Sequence, residues 1–120
     1  MIARLMGLKT ISPKALQQEL PQMRVYDVNS RGSWLQAHVP GAVPLDPSTF
    51  QAAELPADKA SPLVFYCSNL LCRKAPNAAR RAEGMGYTNV SVMSAGISGW
   101  LSAGLPVERN VEETALRQLQ

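Results

Sequence analysis

The amino-acid sequence predicts an α/β domain, with helices packed on a mostly parallel sheet. Three observations carry this. Short β-rich runs alternate with helical patterns along the chain. The run Leu63-Val64-Phe65-Tyr66 is apolar without interruption, as expected of a strand covered on both faces. Ala75, Ala78, Ala79, Ala82 and Met85 then recur at helical spacing, a stripe of mostly small side chains that lets a helix lie close on a sheet. A chain of 120 residues fits one domain and can bury a core without disulfides or a metal.

Each element has its own signal. Ser12-Pro13 reads as a cap and first turn, with Leu16 and Leu20 on one helical face and Pro21 as the stop. Val25 to Val28 is β-rich and runs into Asn29 and Ser30. Ser33 to Ala37 suits a helical turn, and Pro40-Gly41 a tight turn. Ala42 to Leu45 reads as a short strand that Pro44 places near an edge. Asp46-Pro47 is expected to open a brief helix that lasts to Leu55. After the Leu63–Tyr66 strand comes a loop, and Pro76 is expected as the first helical residue. Arg80, Arg81 and Glu83 fall on that helix's solvated side, and Gly84 and Gly86 end it. Val90 to Met93 is the next strand, and Gly96 to Ala103 a short helix carrying Trp100. Asn110 with Glu113 resembles a capping box for an amphipathic helix with Val111, Ala115, Leu116 and Leu119 on its apolar face.

Composition excludes several classes. Hydrophobic residues make up 46% and charged residues 18%, an ordinary globular balance. A net charge of +3 without a basic stripe argues against nucleic acid as a partner. No run approaches a membrane span. The apolar stretch in residues 1–8 is too short for a signal-peptide core, so a cytoplasmic protein is expected. Two cysteines and one histidine are too few for a structural zinc site, and no metal is expected.

The chemistry concentrates in Cys67-Ser68-Asn69-Leu70-Leu71-Cys72-Arg73-Lys74, between a buried strand and a helix start. Ligands of parallel α/β sheets bind at the carboxyl ends of strands, where Cys67 falls. Helix N–H groups, loop amides and the Arg73-Lys74 pair all favour an anion there, and hence a Cys67 thiolate as nucleophile. Cys72 follows five residues on and is a candidate resolving thiol, the alternative being a bystander.

An ordered series of segments resembles the rhodanese-like family. It comprises Ile11-Ser12-Pro13 with Leu16, Tyr26-Asp27-Val28, Ala37-His38-Val39-Pro40-Gly41-Ala42, Val64-Phe65-Tyr66-Cys67, Gly86 to Val90, Ala95 to Trp100 and Ala103 to Val107. The resemblance covers residues 10–108 of one domain, with 109–120 as an appended helix. It implies a five-stranded parallel sheet flanked by helices on both faces. It further implies that Cys67 takes a sulfane sulfur from thiosulfate or a persulfide and passes it to a thiol or other thiophilic acceptor, without metal or organic cofactor. Ser68, Asn69, Leu70, Leu71, Arg73 and Lys74 would cradle the donor or the persulfide. The loop departs from the family's usual Cys-Arg-x-Gly-x-Arg at Ser68, Leu70 and Cys72, so a larger or protein-bound donor is as well suited as thiosulfate.

Other readings of the same residues differ in class. Cys67 and Arg73 also satisfy the Cys-x5-Arg spacing of phosphatases and arsenate reductases. The domain could also be a binding module, although retention of Cys67 speaks against that. His38 reads as part of a structural turn rather than a catalytic base. Asp27 reads as a partner for loop amides or a nearby polar group. Trp34 and Trp100 read as packing residues, and Arg80 with Arg81 as a solvated helix face.

Overall fold

The computed structural model describes residues 2–110. The appended helix expected after Asn110 lies outside the described residues. Five strands form one sheet in the order β1-β5-β4-β2-β3, where β1 is Lys9–Thr10, β2 Arg24–Asp27, β3 Val43–Pro44, β4 Leu63–Tyr66 and β5 Val90–Val92. Every strand pair is parallel, and β4 sits at the centre. The Ala42–Leu45 run is the edge strand its proline required. The helices are α1 (Ile2–Leu5), α2 (Pro13–Glu19), α3 (Arg31–Gln36), α4 (Lys74–Gly84) and α5 (Gly96–Ser102).

Strand alternation divides the core in two. Leu63, Phe65 and Cys67 join Tyr26, Val90, Val92, α1's Ala3 and the alanines of α4 on one face. Val25, Val64 and Tyr66 join α2's Leu16 and α5's Trp100 on the other. Helices therefore cover both faces. Ser12 caps α2 by accepting from the Ala15 N–H at 3.2 Å, and Ser30 caps α3 in the same way through Ser33. Gly86, at φ +100°, turns the chain out of α4.

Three segments depart from expectation. The helix from Asp46 to Leu55 does not form. Asp46 Oδ1 instead accepts from the Ser48 and Thr49 N–H groups, and only Ala52–Glu54 makes a 3₁₀ turn. Phe50 between them is buried against Phe65, which sets the path of this segment. Helix α4 begins at Lys74, so Pro76 is its third residue. The first four helical N–H groups lack intrahelical partners, so a proline there forfeits no bond. The strand β1 and helix α1 gave no periodic signal. Both residues of β1 are exposed, and only pairing with β5 defines it.

Candidate active site

Cys67 follows β4 directly and continues its alternation, so its side chain falls on the α1/α4 face beside the first turn of α4. Only 2% of the residue is exposed. The start of α5 holds the loop from the other side. The Ile97 N–H donates to the Cys67 carbonyl at 2.9 Å, and the Ser98 N–H to the Ser68 carbonyl at 3.0 Å. Between them Gly96 adopts φ +66°, and a Cβ there would lie 2.6 Å from the Ser68 carbonyl carbon and oxygen. Gly96 is thus a site residue whose role the sequence did not disclose. Its contact with Ser68 joins segments distant along the chain, and the only local hint was a glycine opening a helix.

The loop curls on itself. Asn69 Oδ1 accepts from the Leu71 N–H at 3.0 Å, and its carbonyl accepts from the Cys72 N–H at 3.2 Å. These two amides are consumed within the loop, whereas those of Ser68 and Ala75 are directed at the Cys67 sulfur. Two amides of the expected Ser68–Lys74 cradle are thus engaged within the loop itself. Leu70 and Leu71 are exposed at the loop's outer side, and Arg73 and Lys74 are exposed at the start of α4. Among the described residues, the Arg73 and Lys74 side chains make no hydrogen bond or ion pair. Arg73 occupies the cap position of α4 without a capping side-chain bond, so this helix start is unfilled.

The two thiols lie within hydrogen-bonding reach, and both cysteines are free. Burial pushes the Cys67 thiol up to about 12, and the hydrogen bond to Cys72 adds to this against the Ala75 and Ser68 amides. Cys72 moves the opposite way. Its partial burial raises it, but hydrogen bonds from Cys67, from the Lys74 and Ser68 amides and from the Ser68 hydroxyl outweigh this and lower it. These directions run against the expected Cys67 thiolate: burial favours the proton on Cys67, and hydrogen bonding favours charge on Cys72.

Two spaces adjoin the loop. A pocket of about 10 Å³, room for one water, is lined by both cysteines, Ala3, Ala75, Met93 and Ser94. The Ser94 hydroxyl is buried there with no hydrogen-bond partner among the described residues. A larger cleft of about 530 Å³ opens beyond the carboxyl ends of β2 and β3, lined by Asn29, Arg31, Asp46, Glu54 and Lys74 among others. Such a position is the usual ligand crevice of a parallel α/β sheet.

The remaining candidates support the scaffold. Asp27 is buried and accepts from the Asn29 N–H at 2.9 Å and from the Tyr66 hydroxyl at 2.6 Å, as a partner for amides and polar groups would. Burial raises its carboxyl, against the hydrogen bond from Tyr66. His38 stacks on Trp34, with Nδ1 2.6 Å from the Trp34 carbonyl and Nε2 3.9 Å from Glu108. Those contacts fix the Ala37–Ala42 turn. Trp34 and Trp100 donate to the Ala42 and Pro106 carbonyls, at 2.9 and 2.8 Å. Arg80 is exposed, but Arg81 is not solvated as expected. It lies over the Phe50 ring and donates twice to the Phe50 carbonyl.

Comparison with known proteins agrees with this architecture. Residues 12–103 match the family model of the rhodanese-like domain. A thiosulfate sulfurtransferase, GlpE of Haemophilus influenzae, is 29% identical over 104 residues, which are 86% of this chain and 97% of that protein. The HTH-type transcriptional regulator Rv0324 of Mycobacterium tuberculosis is 32% identical over 94 residues, 77% of this chain and 40% of the regulator. The chain spans 40 to 60% of the length of the first curated relatives it matches. Among solved structures, the rhodanese-like domain of the Anabaena protein Alr3790 superposes with a TM-score of 0.74 at 20% identity, over 86% of this chain and 80% of that one. The chain belongs to the rhodanese-like domain family, whose members among its relatives include sulfurtransferases.

Proposed function

We propose that this rhodanese-family chain is a sulfurtransferase in which Cys67 accepts a sulfane sulfur, from thiosulfate or a persulfide, and passes it to a thiophilic acceptor. The observation that carries this reading is the seating of Cys67. It ends the central strand, and the Ser68 and Ala75 N–H groups point at its sulfur. In uptake, the Cys67 sulfur attacks the outer sulfur of the donor. The donor's S–S bond breaks, and sulfite or the donor thiolate leaves with the electron pair. The same amides then stabilise the negative persulfide. A protonated thiol is a poor nucleophile, so Cys67 gives its proton to a base in the medium as it attacks. Attack by the acceptor on the outer sulfur returns Cys67 as thiolate.

The unpaired Arg73 and Lys74 suit an anionic donor, while exposed Leu70 and Leu71 beside them suit a protein-borne one. Two free cysteines fit a reducing, cytoplasmic setting. Among the described residues, no helix is long and apolar enough to cross a membrane.

The test is a panel on the purified protein: thiosulfate with cyanide, glutathione persulfide with a thiol acceptor, p-nitrophenyl phosphate, and arsenate. Thiocyanate formation or thiol-dependent sulfur transfer, lost in Cys67→Ser, is the expected result. Ester hydrolysis or arsenate reduction without sulfur transfer would instead favour the Cys-x5-Arg chemistry. Inactivity throughout would favour a binding module.

A further inference from the structure

Several features of the loop are not needed for sulfur uptake and release. The Cys72 thiol lies close to the Cys67 thiol, the sulfur that becomes the inner atom of a persulfide, and both cysteines line one small pocket. The bond from the Cys72 N–H to the Asn69 carbonyl keeps the loop curled so that the two thiols stay close. Both cysteines line one pocket of about 10 Å³, as does Ser94, whose hydroxyl is buried with no hydrogen-bond partner among the described residues. A buried hydroxyl without a partner is uncommon and marks a place where another group fits.

We infer that Cys72 is a second sulfur-handling group, which attacks the inner sulfur of the Cys67 persulfide, expels the outer sulfur as hydrosulfide and leaves a Cys67–Cys72 disulfide. This rests on the sulfurtransferase reading above. The step balances without an outside oxidant. The Cys72 thiolate forms the new S–S bond, the persulfide S–S bond breaks, and its electron pair leaves on the outer sulfur, which takes a proton from water and departs as hydrosulfide. The two cysteine sulfurs are oxidised to the disulfide, and the outer sulfur is reduced. A dithiol reductant then exchanges with the disulfide and returns both thiols, the state seen here. The lowered proton affinity of Cys72 favours its thiolate, the attacking form. Attack is assigned to the inner sulfur because Cys72 lies beside the Cys67 side chain itself.

The experiment uses reduced full-length chain freed of reductant, with thiosulfate and glutathione persulfide in separate arms. Sulfide is measured against protein-free controls, and intact and peptide masses are recorded. Wild type should release about one equivalent of sulfide and lose about 2 Da, with the Cys67 and Cys72 peptides joined. Cys72→Ser and Cys72→Ala should instead hold a lasting persulfide, a gain of about 32 Da on Cys67, and release at least about tenfold less sulfide. A lasting persulfide on wild-type Cys67, a persulfide moved to Cys72, or equal sulfide release from the Cys72 variants would each overturn the inference and leave the sulfurtransferase reading standing. Absence of any sulfur adduct, bridge or donor turnover on wild type and variants alike, with both donors, would overturn that reading and this inference together.

Discussion

The Tyr66 hydroxyl donates to Asp27 Oδ2 at 2.6 Å and accepts from the Val39 N–H at 3.0 Å, and all three residues are buried. One phenol therefore joins β4, the end of β2 and the turn before β3, one residue before Cys67. Removing it strands a carboxylate oxygen and an amide away from water. Tyr66→Phe is expected to destabilise the domain by about 2–6 kcal/mol, since each of the two unsatisfied buried groups costs about 1–3 kcal/mol. Urea unfolding measures this, and a loss below about 0.5 kcal/mol would contradict it.

Gly96→Ala tests the clamp on the active loop. An alanine at φ +66° costs about 1–2 kcal/mol by itself. Its Cβ would also meet backbone at 2.6 Å, which is not free to swing aside as a flexible side chain is. The loop must shift, and sulfur transfer is expected to fall at least about tenfold, the effect of misplacing a reacting group by a fraction of an ångström. Retained activity together with retained stability would show that the clamp is dispensable.

The two thiols should separate by pH in alkylation with iodoacetamide. Alkylation needs the thiolate. Cys72 is shifted down, so it should react readily near neutral pH. Cys67 is pushed up to about 12, so its modification should be slow at neutral pH and keep rising as the medium becomes alkaline. Peptide mapping at short times identifies the order. Cys67 reacting first at neutral pH would reverse the assignment of the charge.

Arg73 and Lys74 are expected to act on donor binding. Replacing both by alanine should raise the KM for thiosulfate about 3–10-fold with kcat little changed, as expected for exposed charges worth about 0.2–1 kcal/mol each. The effect should shrink as salt is added. A fall in kcat at unchanged KM would place them in the chemical step instead.

Much of this was legible in the chain. Leu63 to Tyr66, the alanine stripe of α4 and the proline-marked edge strand each carry a local pattern that survives folding, because burial of that pattern drives the fold. Cys67 was legible for the same reason, as the residue following the strand buried on both faces. The segment from Asp46 to Leu55 was misread because Asp46 caps a turn as readily as a helix, and Phe50's place against Phe65 is decided from across the core. The strand β1 had no local signal, since it exists through its pairing with β5.

The sequence by itself determined the family, the layered α/β arrangement and the place of Cys67 directly after the central strand, all of which follow from residue order and spacing. Tertiary structure alone decided the opposed proton affinities of the two cysteines, the Gly96 clamp, the Tyr66 bridge between Asp27 and Val39 and the unpartnered Ser94 hydroxyl. The reason is physical. A thiol's proton affinity depends on how deeply it is buried and on which groups reach it, and those groups come from segments that the sequence keeps apart and only folding brings together.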